Sequence, residues 1–251
     1  MAAALLLACL GGLALGSFVT VVGHRVPRGE TVVSGRSRCT SCGAQIAAYD
    51  NVPVVSWILL RGRSRCCGEP ISARYPLTEL SLAALYVATV AVLWDDPVEV
   101  ALGLVFVTML LAVTLTDLDQ RVIPNRILLV AAVAGAAIAA VGDPSSLPER
   151  AIAAAAAGGG LFLVALAYPR GMGLGDVKLA AVMGLFLGRD VAPALLIALL
   201  AGSLVGLALI AREGAAARKR AIPFGPFLAL GGVAALLAGN PLVDWYLSTF
   251  S

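Results

Sequence analysis

Charge is scarce in this sequence. Only 13% of its 251 residues are Asp, Glu, Lys or Arg, against about 25% in soluble globular chains. Hydrophobic residues make up 60%, and the mean hydropathy is +0.93. That balance excludes an ordinary soluble domain. A net charge of only +3, with its basic residues spread along the chain, excludes a nucleic-acid partner. No basic residue precedes Arg25, so the opening MAAALLLACLGGLALGSFVTVVGHR lacks the positive start of a cleaved signal peptide. The LLAC stretch ending at Cys9 is like a lipoprotein box, but it comes too early and lacks the same basic flank. The segment reads as a retained first transmembrane helix, with Cys9 a small residue facing lipid or core. No internal repeat is obvious, and nothing reads as a disordered tail.

What is present is a series of apolar runs, at 2–23, 76–94, 98–116, 126–142, 150–169, 176–188, 191–211 and 224–247. Most have the length, about 17–25 residues, that spans a bilayer as a helix. The fold class expected is therefore an all-α polytopic membrane protein with about eight transmembrane helices. Its divisions would be a first helix at 1–23, a small cytoplasmic loop domain at 24–75 and a seven-helix membrane core at 76–251. The run at 176–188 is short, which implies tilt, local bilayer thinning or a deeper start. Glycines at 158–160 and 231–232 would let neighbouring helices approach closely.

The positive-inside rule orients the set. With the N-terminus outside, all of the 18 basic residues except Arg150 and Arg189 fall on the cytoplasmic side. Asp95, Asp96, Glu99, Asp143 and Glu149 fall in the outer loops. In that topology two acidic segments, TDLDQRVIPN at 116–125 and GMGLGDVK at 171–178, end on the same cytoplasmic side.

Those two segments carry the chemistry. Each places a carboxylate at the end of an apolar run, where ionisable groups are costly and mark function. Asp117 ends the third run, Asp119 follows, and Pro124 is expected to break the helix before the fourth. Asp176 follows Gly173-Leu174-Gly175, where backbone angles closed to other residues are open. Two carboxylates brought together would share one proton: one activates water while the other polarises a carbonyl. Ordinary interfacial charges, or a proton relay in a transporter, are the alternatives that position alone leaves open.

The ordered motifs resemble those of the type IV prepilin peptidases, a GxGD aspartic protease family. The resemblance rests on GSFVTVVGHRVPR at 16–28, the cysteine loop, SARYPLTEL at 72–80 and Asp117-Leu-Asp-Gln-Arg-Val-Ile123-Pro124-Asn125. It continues through the Gly-x-Gly-Asp-x-Lys at 173–178 and IPFGPF at 222–227. It implies that Asp117 and Asp176 are the catalytic pair, with Asp119 outside it on the strength of spacing to Ile-Pro-Asn. It implies a bacterial inner-membrane enzyme that cleaves prepilin or pseudopilin leaders after a glycine at the cytoplasmic face. It also implies methylation of the new N-terminus with S-adenosylmethionine, although no soluble glycine-rich nucleotide fold is visible. A non-enzymatic assembly factor that retains the fold is a further alternative.

Many members of that family carry two CxxC pairs in the loop, a zinc site. Here Cys39 and Cys42 form the first pair, while Ser64 stands where the second pair would begin, followed by Cys66 and Cys67. The expected metal ligands are Cys39, Cys42, Cys66 and Cys67, with Cys66 as the replacement; a three-cysteine site and no metal are the other readings. A disulfide does not suit a reducing cytoplasm. His24, at a helix exit, is expected to make an interfacial hydrogen bond. Glu79 and Lys178 are expected near the inner membrane surface, as substrate contacts, as groups ordering the pair, or as plain interfacial charges.

Overall fold

A computed structural model describes residues 1–32, 37–39, 41–168, 171–214 and 222–250, with side chains up to 238. Arg36, Arg170, Arg218, Lys219 and Arg220, counted above as cytoplasmic, lie outside the described residues. The chain divides into two compact units, Met1–Trp94 and Asp95–Ser251.

In the first unit, α1 (Ala2–Arg25) packs along α3 (Arg74–Val92). The buried side of α1 is a stripe of small residues, Ala8, Gly12, Gly16, Val19 and Gly23, recurring every three or four positions. That spacing puts them on one helix face. A Cβ added to Gly12 would come within 2.5 Å of the Ala83 Cα, so the two backbones touch only because that side chain is missing. Between these helices run two 3-10 turns, Val26–Arg28 and Ala48–Asn51, and a short helix, α2 (Val55–Leu59). Isolated bridges Arg38–Gln45 and Arg63–Pro70 close two tight loops there. His24 is exposed, with Nδ1 3.0 Å from Nη1 of Arg28, a hydrogen bond of the kind expected.

The second unit is α4 (Pro97–Gln120), α5 (Asn125–Gly142), α6 (Leu147–Ala167), α7 (Leu174–Leu187), α8 (Val191–Glu213) and α9 (Gly225–Phe250). Asp96 caps α4, its carboxylate accepting the N–H groups of Val98 and Glu99 at 2.9 and 3.1 Å. The core joins Phe106, Leu110 and Val113 of α4 to Leu179, Met183 and Phe186 of α7 and Leu228 of α9. The rings of Phe106 and Phe186 stack with centroids 5.2 Å apart. Along α8 the large residues Leu196, Leu200, Leu204 and Leu207 are exposed, whereas the small Ala194 and Ala198 are buried. That polarity suits lipid rather than water. Of the glycines expected to pack, Gly158 abuts Ala181, and Gly232 abuts Leu110 and Phe106. Gly159 and Gly160 instead face open space on the other sides of α6.

Each apolar run became a helix, and among the described residues no extended strand forms. The protein is an all-α, multi-pass membrane protein. Six described stretches are long and apolar enough to cross a membrane, against the eight expected. The difference lies in Leu174–Glu213, a stretch of 40 residues that holds both α7 and α8, and in α9, whose side chains are described only over Gly225–Ala238.

Candidate active site

The last turn of α4 and the first turn of α7 supply the two carboxylates. Asp117 is 5% exposed, and its Oδ2 accepts the backbone N–H of Gly225, the first residue of α9, at 2.8 Å. Asp176 is the third residue of α7, where its Oδ2 accepts the Gly173 N–H at 3.3 Å and caps its own helix. Both line one cavity of about 320 Å³, together with Arg121, Val122, Ile123, Asn125, Gly173, Gly175 and Lys178. The Lys178 ammonium donates to Oδ1 of Asn125 at 3.1 Å, joining α7 to the Ile-Pro-Asn turn across the mouth of α5.

Two expectations about this region are corrected. The chain does not leave the helix at Asp117: α4 runs on to Gln120 and closes when Arg121 turns left-handed, at φ +54. Its N–H then bonds the Asp117 carbonyl at 2.9 Å, so Pro124 comes too late to end the helix earlier. Helical phase therefore does separate the two acids. Residues two apart differ by about 200° around the axis, and Asp117 is buried while Asp119 is exposed and outside the cavity lining. The glycines before Asp176 also act otherwise than expected. Gly173 has φ −78, and neither it nor Gly175 is left-handed. Gly175 matters for its missing side chain, since a Cβ there would lie 3.1 Å from the Ile123 Cβ. The Ile-Pro-Asn turn and the Gly-x-Gly-Asp turn are thus in direct contact.

At the opposite end of the same helices lies a group whose role the sequence did not show. Arg150, expected on the outer side at the start of the 150–169 run, is 6% exposed in the first turn of α6. It pairs with Glu99 of α4, donates from Nε to Ser146 Oγ at 3.1 Å, and donates to the Leu185 and Phe186 carbonyls of α7. Both carbonyls lie in the last turn of α7, where the negative helix end attracts a cation. One guanidinium thus ties together α4, α6 and α7.

The cysteines form a second candidate site, within the first unit. The four Sγ atoms of Cys39, Cys42, Cys66 and Cys67 all lie within 4.8 Å of one another. The two loops that carry them repeat each other. Cys39 N–H bonds Ala44 O at 2.8 Å and Gly43 N–H bonds Cys39 O at 2.9 Å; Ser64 N–H bonds Glu69 O and Gly68 N–H bonds Ser64 O, each at 2.8 Å. Gly43 and Gly68 share φ +71, the left-handed turn that each loop needs. Ser64 therefore stands where Cys39 stands in the first loop. Its hydroxyl lies 2.9 Å from the Cys66 sulfur and 3.7 Å from that of Cys39, and Cys66 reaches the cluster from two positions on. Sulfur separations are 3.6 Å for Cys39–Cys67, 3.2 Å for Cys42–Cys66 and 3.9 Å for Cys66–Cys67. Tetrahedral ligands at about 2.3 Å from a zinc ion stand about 3.8 Å apart, so the set fits such an ion. Backbone N–H groups of Cys42 and Ser41, with the Ser64 hydroxyl, bring the Cys39 thiol down to about 6. At Cys42 the Ala44 backbone bond pulls downward, but the Cys66 thiol, burial, Cys39 and Cys67 together push it up to about 12.

Glu79 belongs to this first unit, buried in α3, where its Oε2 accepts the Val54 N–H at 2.7 Å. The role of Gly225 was not read from sequence, although it lies inside the noted 222–227 motif. Nothing in a local pattern reports a donor 108 residues away.

Comparison with known proteins adds the following. Residues 10–93 match the bacterial peptidase A24 N-terminal domain, and residues 104–211 match the type IV leader peptidase family. A prepilin leader peptidase/N-methyltransferase of Aeromonas hydrophila is 36% identical, over 96% of this chain and 93% of its own. Proteins of the same description in Bacillus subtilis and Burkholderia pseudomallei are 34% and 36% identical. The first alignment covers 94% of this chain and 95% of the relative, the second 92% and 84%. No solved structure matches the chain.

Proposed function

The chain belongs to the type IV leader peptidase family, and we propose that it is an aspartic endopeptidase that removes the leader of prepilin or pseudopilin substrates after a glycine, then methylates the new N-terminus. The observation that carries this reading is the meeting of Asp117 and Asp176 in one cavity at the joined ends of α4 and α7. In the proposed reaction the pair holds one proton. The ionised carboxylate takes a proton from a water molecule as its oxygen attacks the scissile carbonyl carbon. The protonated carboxyl donates to the carbonyl oxygen; as the tetrahedral species collapses, the first carboxyl passes its proton to the leaving nitrogen and the other takes one back from the gem-diol, releasing the leader acid and the amine. The Gly225 N–H holds Asp117 in place. A transporter relay is the weaker reading, because both acids share one end of the bundle rather than marking a path across it.

The topology that places this end in the cytoplasm, in a bacterial inner membrane with the N-terminus outside, rests on the positive-inside asymmetry. S-adenosylmethionine is the methyl donor implied by the resemblance, and no residue is assigned to it. For the cysteine quartet the proposed occupant is zinc, held by Cys39, Cys42, Cys66 and Cys67 in a closed structural site that ties the two loops together.

The test is cleavage of a prepilin from the same genome by membranes carrying wild type or Asp176→Asn, with products resolved by mass. Loss of the leader and a gain of one methyl by wild type, with neither in the mutant, is the expected result. Intact prepilin with well-inserted wild type, repeated on a second prepilin, would sink the peptidase assignment.

A further inference from the structure

We infer that segment 52–59, carrying α2, is seated in the lipid boundary of the membrane that α1 and α3 span, so that the cysteine loop is docked on the bilayer rather than held free in water. The segment had been read as part of a soluble loop domain, and its polarity is inverted for that role. The polar member, Ser56, is 6% exposed, its hydroxyl donating to the Tyr49 carbonyl at 2.9 Å and accepting the Val52 N–H at 3.0 Å. Three of the four apolar members of α2 point outward, Trp57 alone being half-buried: Val55 is 51% exposed, Ile58 60% and Leu59 76%. A helix on an aqueous surface buries its apolar residues and presents its polar ones.

The depth of the segment is set by one hydrogen bond. The Val54 N–H, just before α2, donates to Glu79, five residues inside α3, which at 1.5 Å per residue is about 7.5 Å below its start. The same level can be read on α1. A Cβ on Gly16 would lie 2.6 Å from the Glu79 Cα, and Gly16 is followed by seven uncharged residues before His24, about 12 Å of helix. Both apolar helices therefore extend past the point where α2 begins. An apolar edge at that level meets acyl chains, not water.

Two further features agree. Arg61, Arg63 and Arg74, all exposed, flank the apolar edge and match the anionic phosphates of lipid headgroups. Val54 takes φ +60, rare for a β-branched residue. The carboxylate of Glu79, itself costly to bury in an apolar helix, holds it there. The bond turns the chain sharply so that α2 lies along the boundary, and it gives Glu79 a partner of its own. The occupant of the apolar edge is lipid; a substrate helix or a second copy of this chain are the competing occupants that the experiment separates.

The experiment uses the full chain in liposomes of phosphatidylethanolamine and phosphatidylglycerol, with photoreactive p-benzoylphenylalanine replacing Leu59 or, as control, Glu69 in the second cysteine loop. After irradiation, mass analysis is expected to show a lipid adduct severalfold more abundant at 59 than at 69. Equal adducts at both positions, no lipid adduct at 59, or crosslinks only to protein would each overturn the inference. If the Leu59 variant does not insert, the same label at Val55 carries the same expectation and the same reversals. None of these outcomes depends on peptidase activity.

Discussion

The backbone N–H of Gly225 donates to Oδ2 of Asp117 at 2.8 Å, and a Cβ at Gly225 would stand 2.7 Å from that same oxygen. The start of α9 thus acts as a fixed stop for the carboxylate at the end of α4. Gly225 is there because no other residue lets the backbone come so close.

Gly225→Ala is predicted to push the Asp117 carboxylate aside. Displacements of about 1 Å at a reacting group cost on the order of 100-fold in rate, so prepilin cleavage should fall by about that factor while the protein still inserts. Cleavage rates of membrane-inserted protein at equal abundance decide it. A rate within a factor of two or so of wild type would show that the contact does not position Asp117.

The helical phase of α4 makes a sharper prediction about the neighbouring acids. Asp117→Asn should abolish cleavage, whereas Asp119→Asn, on the exposed face, should retain most of it. Parallel assay of the two mutants tests this directly. The reverse ranking would assign the chemistry to Asp119.

Purified protein is predicted to hold about one zinc per chain, lost in Cys66→Ser and retained in Ser64→Cys, which restores a CxxC-like start to the second loop. Elemental analysis of the three proteins is sufficient. Zinc retained in full by Cys66→Ser would remove Cys66 from the ligand set.

Zinc affinity should rise with pH. The metal binds thiolates: with Cys42 at about 12, its proton must be displaced throughout the physiological range. Cys39, at about 6, adds a further displaced proton only below that value. Affinity should therefore climb across neutral pH and fall more steeply once pH drops below about 6. Competition with a coloured chelator at several pH values reads the slope, and a flat profile would mean that these thiols do not hold the ion.

Arg150→Ala leaves Glu99 without its partner and strips the donor from two α7 carbonyls. Removing one member of a buried pair costs about 3–5 kcal/mol, and Glu99, about a third exposed at 34%, places this case at or below the lower end. The purified variant should melt lower in detergent, and Glu99→Gln in the same chain should recover part of the loss. Unchanged melting would mean that the guanidinium contributes no net stability.

Several features of this protein were determined by its sequence alone. An apolar run of bilayer length must satisfy its backbone internally, and in a single segment only a helix does so. The helices were therefore legible to within a few residues, from Ala2–Arg25 to Gly225–Phe250. The candidate acids and the cysteine quartet were legible too, because charge and thiols stand out against so apolar a chain. Tertiary structure decided what depends on where helices end and which faces meet. It carried α4 three residues past Asp117, burying that acid and exposing Asp119; it brought the Gly225 amide to the first and drew Arg150 into the core. It also curled the second cysteine loop so that Cys66 reaches the place Ser64 left. Polarity and period are local properties and survive in one dimension. A hydrogen bond between residues 108 apart exists only once the helices between them have packed.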